Sequence, residues 1–267
     1  DTPRVAVGVN LAFQQHLGGP DGYLYALSAR AFGQVRAWSG AWLQGSLNLR
    51  LLDNYDQFQY TAPSALPRVR THLREFVTTR RVTMPNLQFT QTARLAEGVY
   101  GMAYAGWLEP MFAGVGGEVL WRPLNSRWAV GLDLNLVRKR NFEQDLGLQD
   151  YEVKTGHLSV RWDTGWHDWV AGVSAGQYLA GDRGVTVDLA RVFPNGTRMG
   201  MWATKTNVSA AQFGEGSFDK GLYVTVPFDA MFSSWSGSAM AVAWQPLIRD
   251  GGAKLQRGAS LWGLTDV

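Results

Sequence analysis

Hydrophobic and polar side chains alternate strictly along many segments of this chain. The first example begins at Val5, and Val7, Val9, Leu11 and Phe13 continue it at every second position. A period of two is typical of a β-strand that presents one apolar face. The pattern predicts strands over residues 4–15, 22–33, 40–52, 86–95, 98–108, 116–123, 127–140, 152–164, 168–180, 184–193, 197–207, 219–228, 236–246 and 255–264. It therefore predicts an all-β chain.

Alternation alone fits a soluble β-sandwich as well as a membrane β-barrel. The predicted segments run about 9–12 residues, whereas soluble strands average about 5–6. Their non-apolar positions are rich in Gly, Ala, Ser, Asn and Thr with single charges, which suits a wet lumen. We therefore predict one domain over residues 1–267: a transmembrane antiparallel β-barrel of about fourteen strands (about 12–16), with both termini periplasmic.

Residues 53–85 break the alternation and are too long for an ordinary connection. Pro67 precedes four apolar residues at helical spacing, which predicts a short amphipathic helix. These residues are Val69, Leu73, Phe76 and Val77. A fifteenth strand here would give an odd count, and single-chain bacterial barrels have even counts. The stretch is therefore predicted to be a long outer loop that carries a short helix and folds inward.

Charged residues fall at positions predicted to face the lumen or its entrance. The loop contributes Arg68, Arg70, Arg74, Arg80 and Arg81. The strands contribute Arg50, Arg94, Arg127, Arg161, Asp133 and Asp163. These charges either pair with one another and stiffen the wall, or form a mildly basic conduit that contacts an acidic polysaccharide. The sequence leaves both possibilities open.

Two acidic residues flank a glycine-rich stretch at residues 114–117, which we interpret as a tight turn or bulge. Glu109 and Glu118 are expected to pair with loop arginines, with contact to a polymer as the alternative. Several tryptophans lie near predicted strand ends, where aromatic girdles meet the lipid interface. They are Trp107, Trp121, Trp128, Trp162 and Trp169. Stacking against sugar rings is the alternative.

Composition excludes several kinds of structure and site. The chain is 46% hydrophobic but only 18% charged, and no apolar run approaches the roughly 18 residues of a membrane helix. There are no cysteines, and the net charge of +3 is too small to indicate nucleic acid binding. His157, Ser159 and Asp163 share a strand face only because of the period of two. We therefore predict no enzyme activity, no catalytic residues, no metal and no cofactor.

Long, unusual strings along the chain resemble the YjbH/GfcD family of outer-membrane exopolysaccharide and capsule proteins. One is YAGWLEPMFAGVGGEVLWRP at residues 104–123; the others lie at 53–58, 66–76, 176–184, 203–209, 214–221, 244–252 and 260–265. The resemblance covers essentially the whole chain and matches the C-terminal portion of longer family members. It brings no catalytic residues.

The resemblance implies a place in the bacterial outer membrane, in contact with its lipids. It also implies export of an exopolysaccharide or capsular polysaccharide, together with a periplasmic polysaccharide-export protein. A general or oligosaccharide-selective porin would share the predicted fold and is the alternative function.

Overall fold

The computed structural model describes residues 4–209, 212, 218–227, 239–244 and 249–265. Within these ranges the chain forms one antiparallel sheet of thirteen strands, each paired with the next in sequence. The strands are β1 (Val5–Gly19), β2 (Gly22–Trp38), β3 (Ala41–Asp53), β4 (Val82–Ala96), β5 (Val99–Trp107), β6 (Phe112–Trp121), β7 (Trp128–Arg140), β8 (Leu148–Asp163), β9 (Trp169–Gln177), β10 (Arg183–Val192), β11 (Arg198–Thr206), β12 (Asp219–Pro227) and β13 (Ala239–Trp244).

The two faces of the sheet differ sharply. On the apolar face, Leu134 of β7 is 62% exposed and Leu158 of β8 is 53% exposed. Asn135 and Thr155 are direct partners on the other face of the same two strands, and both are buried. Polar side chains are thus covered while leucines face outward, which confirms the alternation read from the sequence and inverts the arrangement of a soluble protein.

Alternate hairpins lie on the same edge of the sheet, and tight turns dominate one edge. Gly40 lies between β2 and β3 with φ +73°, and its carbonyl accepts a hydrogen bond from the Thr92 N–H at 2.7 Å. A Cβ at Gly40 would lie 2.4 Å from the Thr92 oxygen, so both the turn and the close approach require glycine. We call this side the turn edge and the opposite side the loop edge.

Two irregular segments pack against the polar side, which we call the covered face. The β3–β4 segment comprises residues 54–81 and contains a 3₁₀ helix (Tyr55–Gln57) and the helix α1 (Leu73–Thr78). The C-terminal segment comprises residues 249–265 and contains the helix α2 (Leu261–Thr265). Both contribute to a core that also includes strand side chains. This core contains Val69, Phe76, Met102, Tyr104, Phe112, Leu120, Val137, Ala253 and Leu261.

The structure corrects the predicted strand count from fourteen to thirteen in the described residues. Residues 255–264 were predicted to be the last strand, but they cross the covered face and end in α2. Gly258 lies directly against the covered face: its N–H donates to Gln88 Oε1 at 3.1 Å, and a Cβ there would meet the Gln44 side chain. Over the described ranges β1 pairs with β2 and β13 pairs with β12, with no ladder joining β1 to β13.

Several predicted boundaries also shift. β8 begins at Leu148, so the predicted loop 141–151 shortens to 141–147. Residues 114–117 lie inside β6 rather than in a turn. Gly116 is needed there because a Cβ would collide with the hydrogen-bonded side chains of Tyr104 and Asn135.

Three connections between the predicted strands fall partly or wholly outside the described residues. They are the turn expected around 232–237, between the strands predicted at 219–228 and 236–246, and the loops expected at 208–218 and 247–254. Across the ranges that the structure does describe, neither helix has the length and hydrophobicity needed to cross a membrane.

Candidate functional site

A bidentate ion pair joins the β3–β4 segment to the sheet. Arg70 donates to the two carboxylate oxygens of Glu109 at 2.6 and 3.0 Å, and only 2% of the Glu109 side chain is exposed. The same carboxylate accepts the Gln256 N–H at 2.9 Å, and Arg70 also donates to the Lys254 carbonyl at 2.8 Å. This Arg70–Glu109 junction therefore holds both irregular segments through one charge-assisted network.

The backbone around Glu109 is fixed by a tight turn between β5 and β6. The N–H groups of Leu108 and Glu109 both donate to the Phe112 carbonyl at 3.1 Å. Leu108 is buried in the core. The turn therefore fixes the backbone of Glu109 through contacts that involve neither of the two irregular segments.

The fully buried side chain of Arg140 donates hydrogen bonds to this turn and to two neighbouring pieces of backbone. Arg140 donates to the carbonyls of Pro85, Met84, Glu109 and Asp145, at distances of 2.7–3.1 Å. The four acceptors belong to β4, to the turn at Glu109 and to the connection 141–147. Arg140 therefore ties three separate pieces of the loop edge together.

Asp250 fixes the second contact between the two irregular segments. Its carboxylate accepts the N–H groups of Val69, Arg70 and Thr71 at 2.9, 2.7 and 3.0 Å, and the Thr71 hydroxyl at 2.7 Å. Asp250 and Thr71 are both buried. Four donors on one carboxylate make this a specific docking site for the start of the predicted helix.

Further along the C-terminal segment, Arg257 neutralises an acidic pair on the covered face. Glu118 and Asp133 are direct partners across β6 and β7. Arg257 lies 3.1 Å from Glu118 and donates to the Tyr104 hydroxyl at 2.7 Å. Glu118 was expected to pair with an arginine of the β3–β4 segment, and the structure corrects its partner to Arg257.

Lys254 lies between these anchors and reaches β9. Its Nζ donates to Ser174 Oγ at 2.5 Å. Burial lowers the pKa of Lys254 to about 8. Its ammonium group is half-buried and lies beside the polar side chain of Ser174 on β9.

Three of the cavities among the described residues lie on the covered face. The arginine cavity, of about 210 Å³, is lined by one carboxylate (Glu109) and five arginines: Arg30, Arg50, Arg70, Arg80 and Arg81. The large cavity, of about 750 Å³, is lined by Trp202, Tyr223 and Trp262, by two carboxylates and by five basic residues. The small cavity, of about 180 Å³, adjoins it and is lined by His157, Arg161 and Arg257 among others.

The arginine cavity and the large cavity share a wall. Arg70, Leu73, Met111 and Gln256 line both of them. Arg70 and the Gln256 N–H both bind Glu109, so the junction is the partition between the two cavities.

The predicted site residues divide into contacting and exposed groups. Arg50 pairs with Asp53 at 2.9 Å, Arg68 donates to the Ala62 carbonyl at 3.0 Å and Arg74 pairs with Glu75 at 3.1 Å. Arg161 lies over the Trp262 ring at 4.7 Å. The remaining predicted residues are exposed, and they are Arg80, Arg81, Arg94, Arg127 and Asp163. The structure thus brings Arg50, Arg70, Arg80 and Arg81 to one cavity and leaves Arg94, Arg127 and Asp163 at the turn edge.

Sequence reasoning missed Asp250, Lys254, Arg257 and Arg140. Arg257 lies in the stretch predicted as the strand 255–264, and Asp250 and Lys254 lie in the predicted loop before it. Their charges do not recur at a regular spacing that would indicate a shared face. Gly258 inside the predicted strand was a usable signal, because a glycine in a strand interior weakens the strand and often marks a close approach of another chain segment.

Four exposed tryptophans lie at the turn edge, whereas Trp107 lies at the loop edge, where its Nε1 donates to the Leu146 carbonyl at 3.4 Å. The four at the turn edge are Trp121, Trp128, Trp162 and Trp166, and the rings of Trp128 and Trp162 stack at 5.3 Å. Both the aromatic girdle and the sugar-stacking role stay predictions for these residues.

The histidine that the sequence singled out is buried. The His157 ring packs against Tyr178 with the centroids 4.7 Å apart, and its Nε2 atom has no hydrogen-bond partner. Within the described ranges no group of three or more His, Asp or Glu side chains is arranged to hold a metal ion.

Comparison with known proteins yields two matches that cover this chain. A family model described as "Exopolysaccharide biosynthesis protein YbjH" matches residues 1–267. The chain is also 43% identical over 273 residues to the "Uncharacterized lipoprotein YjbH" of Escherichia coli strain K12. That alignment covers 99% of this chain and 39% of the relative, so the chain spans about two fifths of that protein's length.

Proposed function

Because this chain belongs to the YjbH exopolysaccharide biosynthesis family, we propose that it forms an outer-membrane β-barrel for exopolysaccharide or capsular polysaccharide export. The strands cross the lipid, and the covered face becomes the wall of the passage. The β3–β4 segment and the C-terminal segment together fill this passage at rest.

The observation that carries this proposal is the exposed apolar face. Leucines and valines point outward on strand after strand, from Val7 on β1 to Leu222 on β12. In water such a surface costs about 25 cal/mol for each Å² of apolar area, and soluble proteins rarely show a contiguous patch of this size. In lipid the same side chains match their surroundings.

A location in lipid also requires that the sheet be closed. An open edge inside lipid leaves backbone N–H and C=O groups without partners, at a cost of several kcal/mol for each group. We therefore propose that the two edges of the sheet are closed in the membrane, so that the covered face encloses a lumen.

The packed covered face favours regulated export over a general porin. A barrel of this size encloses more space than its own wall side chains fill. Here the Arg70–Glu109 junction and the Asp250 contacts fix two segments across that space. A general porin would keep an open aqueous channel at this position.

The relative's name supports a place in the cell envelope, because a lipoprotein is anchored to a membrane through an attached lipid. We propose that this chain works in the outer membrane with a periplasmic polysaccharide-export protein that delivers the polymer. No catalytic step is part of the proposal.

The test is export in a strain that lacks the full-length gene, complemented with wild type or variants. Loss of surface polymer, with polymer retained in the periplasm, is the expected result without the gene. Deletion of residues 60–79 should raise single-channel conductance in planar bilayers and sensitise cells to bulky antibiotics. Asp250→Ala should do the same to a smaller extent, because it releases the segment without removing it. Normal surface polymer in the strain that lacks the gene would contradict the export function.

A further inference from the structure

The Arg70–Glu109 junction has the geometry of a carboxylate receptor whose ligand is a side chain of the protein itself. A planar guanidinium offers two parallel N–H groups, and the Gln256 N–H adds a third donor. Bidentate guanidinium binding combined with a backbone N–H is specific for carboxylates over neutral hydroxyls. Glu109 occupies this receptor in the structure.

We propose that the same receptor binds the carboxylate of an acidic sugar unit, which displaces Glu109. This inference rests on the proposed export function and names its substrate class, a polysaccharide that carries uronic acid or other carboxylated residues. The exchange replaces one carboxylate by another, so Arg70 and the Gln256 N–H keep an anionic partner throughout. No covalent step is involved.

The cavities on either side supply room and charge for such a ligand. The large cavity of about 750 Å³ lies within the about 300–1,000 Å³ range of small-molecule sites and is lined by Trp202 and Tyr223. Aromatic rings of this kind fit the apolar faces of sugar rings. Basic residues outnumber acidic ones by five to two in the large cavity and by five to one in the arginine cavity.

The arginine cavity also gives Glu109 a place to go. Glu109 lines this cavity together with Arg80 and Arg81, which are both exposed. A displaced carboxylate can therefore turn toward a second cationic surrounding without being left buried and unpaired.

Displacement would also open the partition. Glu109 holds Arg70 of the β3–β4 segment and Gln256 of the C-terminal segment at the shared wall of the two cavities. When a sugar carboxylate takes its place, the turn of the sheet at Glu109 loses its hold on both segments. Binding of an acidic unit is in this way coupled to loosening of the wall in front of it.

The experiment is calorimetric titration of the purified full-length protein in detergent micelles with tetragalacturonate, and with neutral maltotetraose as the uncharged probe of equal length. We expect tetragalacturonate to bind at least about tenfold more tightly than maltotetraose. Glu109→Gln should bind tetragalacturonate about tenfold more tightly than wild type, because the amide competes poorly for Arg70. Arg70→Gln should lose the preference, and Arg70→Lys, which keeps the charge but not the fork, should fall between the two.

Glu152→Gln is the matched control, because Glu152 faces Arg138 at 3.9 Å in an exposed pair away from the junction. Its affinity should equal that of wild type. The inference is overturned if folded Glu109→Gln binds tetragalacturonate no better than wild type, or if maltotetraose binds equally well. If Arg70→Gln weakens export but leaves tetragalacturonate binding unchanged, this site alone is overturned. If wild type shows the expected binding but export is normal in the strain that lacks the gene, the export function alone is overturned.

Discussion

The Asp250 carboxylate accepts a hydrogen bond from the Thr71 hydroxyl at 2.7 Å, although the two residues lie 179 positions apart in sequence. Three consecutive backbone N–H groups, from Val69 to Thr71, donate to the same carboxylate. The contact joins the two irregular segments directly to each other, in addition to their separate contacts with the sheet.

Asp250→Ala is therefore expected to release the β3–β4 segment. It leaves three N–H groups and one hydroxyl without their acceptor, which costs on the order of 3 kcal/mol. Limited trypsin digestion should then cut within residues 68–81, where wild type resists. Asp56→Ala, in the exposed part of the same segment, is the control and should keep the wild-type digestion pattern. Equal resistance of both variants would show that Asp250 does not hold the segment.

Arg140→Met should be among the most destabilising substitutions in the chain. The change preserves much of the apolar stem but leaves four carbonyls without their donor, two of them on the buried residues Pro85 and Glu109, and a loss of on the order of 3 kcal/mol is expected. Arg138→Met, two positions away on the same strand and exposed, should change the unfolding free energy by less than about 0.5 kcal/mol. Urea unfolding in detergent measures both values, and similar values for the two variants would contradict the role assigned to Arg140.

Stability should decrease as the pH falls through the titration of His72. Burial, and then the charge of Lys139, lower the pKa of His72 below its ordinary value of 6.5. His72 Nδ1 lies 2.7 Å from Lys139 Nζ and accepts its hydrogen bond only when the imidazole is neutral. Glu75, Arg68 and Asp250 are the other charged groups that act on it.

When the pH falls to about 6.5, His72 begins to bind a proton in the unfolded chain but stays neutral in the folded chain, because its pKa is lower there. The contribution of His72 is therefore fully present above about pH 6.5 and is lost as the pH falls toward the lowered pKa. His72→Asn keeps an acceptor that does not titrate, so its melting temperature should fall less between about pH 7.5 and pH 5.5. Parallel pH curves for wild type and this variant would rule out His72 as the titrating group.

A charge on the apolar face should prevent membrane insertion. Leu134→Arg places a guanidinium at the middle of β7, at an expected cost of about 2–4 kcal/mol in lipid. Leu146→Arg is the matched control, because Leu146 is equally exposed, at 60% against 62%, but lies in the connection 141–147. Heat-modifiable mobility after refolding into vesicles reports insertion. If both variants insert equally well, the apolar face is not in contact with lipid.

His157→Ala should leave polymer chain length unchanged, because the proposed function has no catalytic step. The ring fills space against Tyr178, so the variant should melt at a lower temperature while still inserting. Gel analysis of the exported polymer measures chain length. A change in length in correctly inserted protein would favour an enzyme.

The sheet was predictable because its information is local. A period of two and glycine-containing turns determine strand and face together, so alternation by itself assigns Leu134 and Asn135 to opposite sides of β7. The helix after Pro67 followed from the spacing of Val69 and Phe76 for the same reason, although it is only six residues long.

The covered face was only partly predictable because its partners are distant in sequence. Glu109 was recognised as a partner for a loop arginine, but nothing local selects Arg70 over Arg68 or Arg74. Glu118 was assigned to the wrong segment, since Arg257 lay in a stretch whose apolar residues imitate a strand. Those apolar residues, Leu255 and Leu261, instead pack toward the core across the covered face.

The C-terminal segment follows all thirteen strands in the chain, and this order has a consequence for synthesis. Asp250 and Arg257 contact residues far upstream, from Val69, 181 positions before Asp250, to Tyr104, 153 positions before Arg257, and Glu118 just after it, so their partners are made long before them. Contacts over such distances form late, after the intervening chain has been ordered. A chain whose strands have paired but whose C-terminal segment has not yet docked would therefore be an unplugged intermediate, with Glu118 and Asp133 still facing each other without Arg257. In the proposed barrel, that intermediate would be more permeable than the finished protein, and docking of the C-terminal segment would be the step that closes the passage.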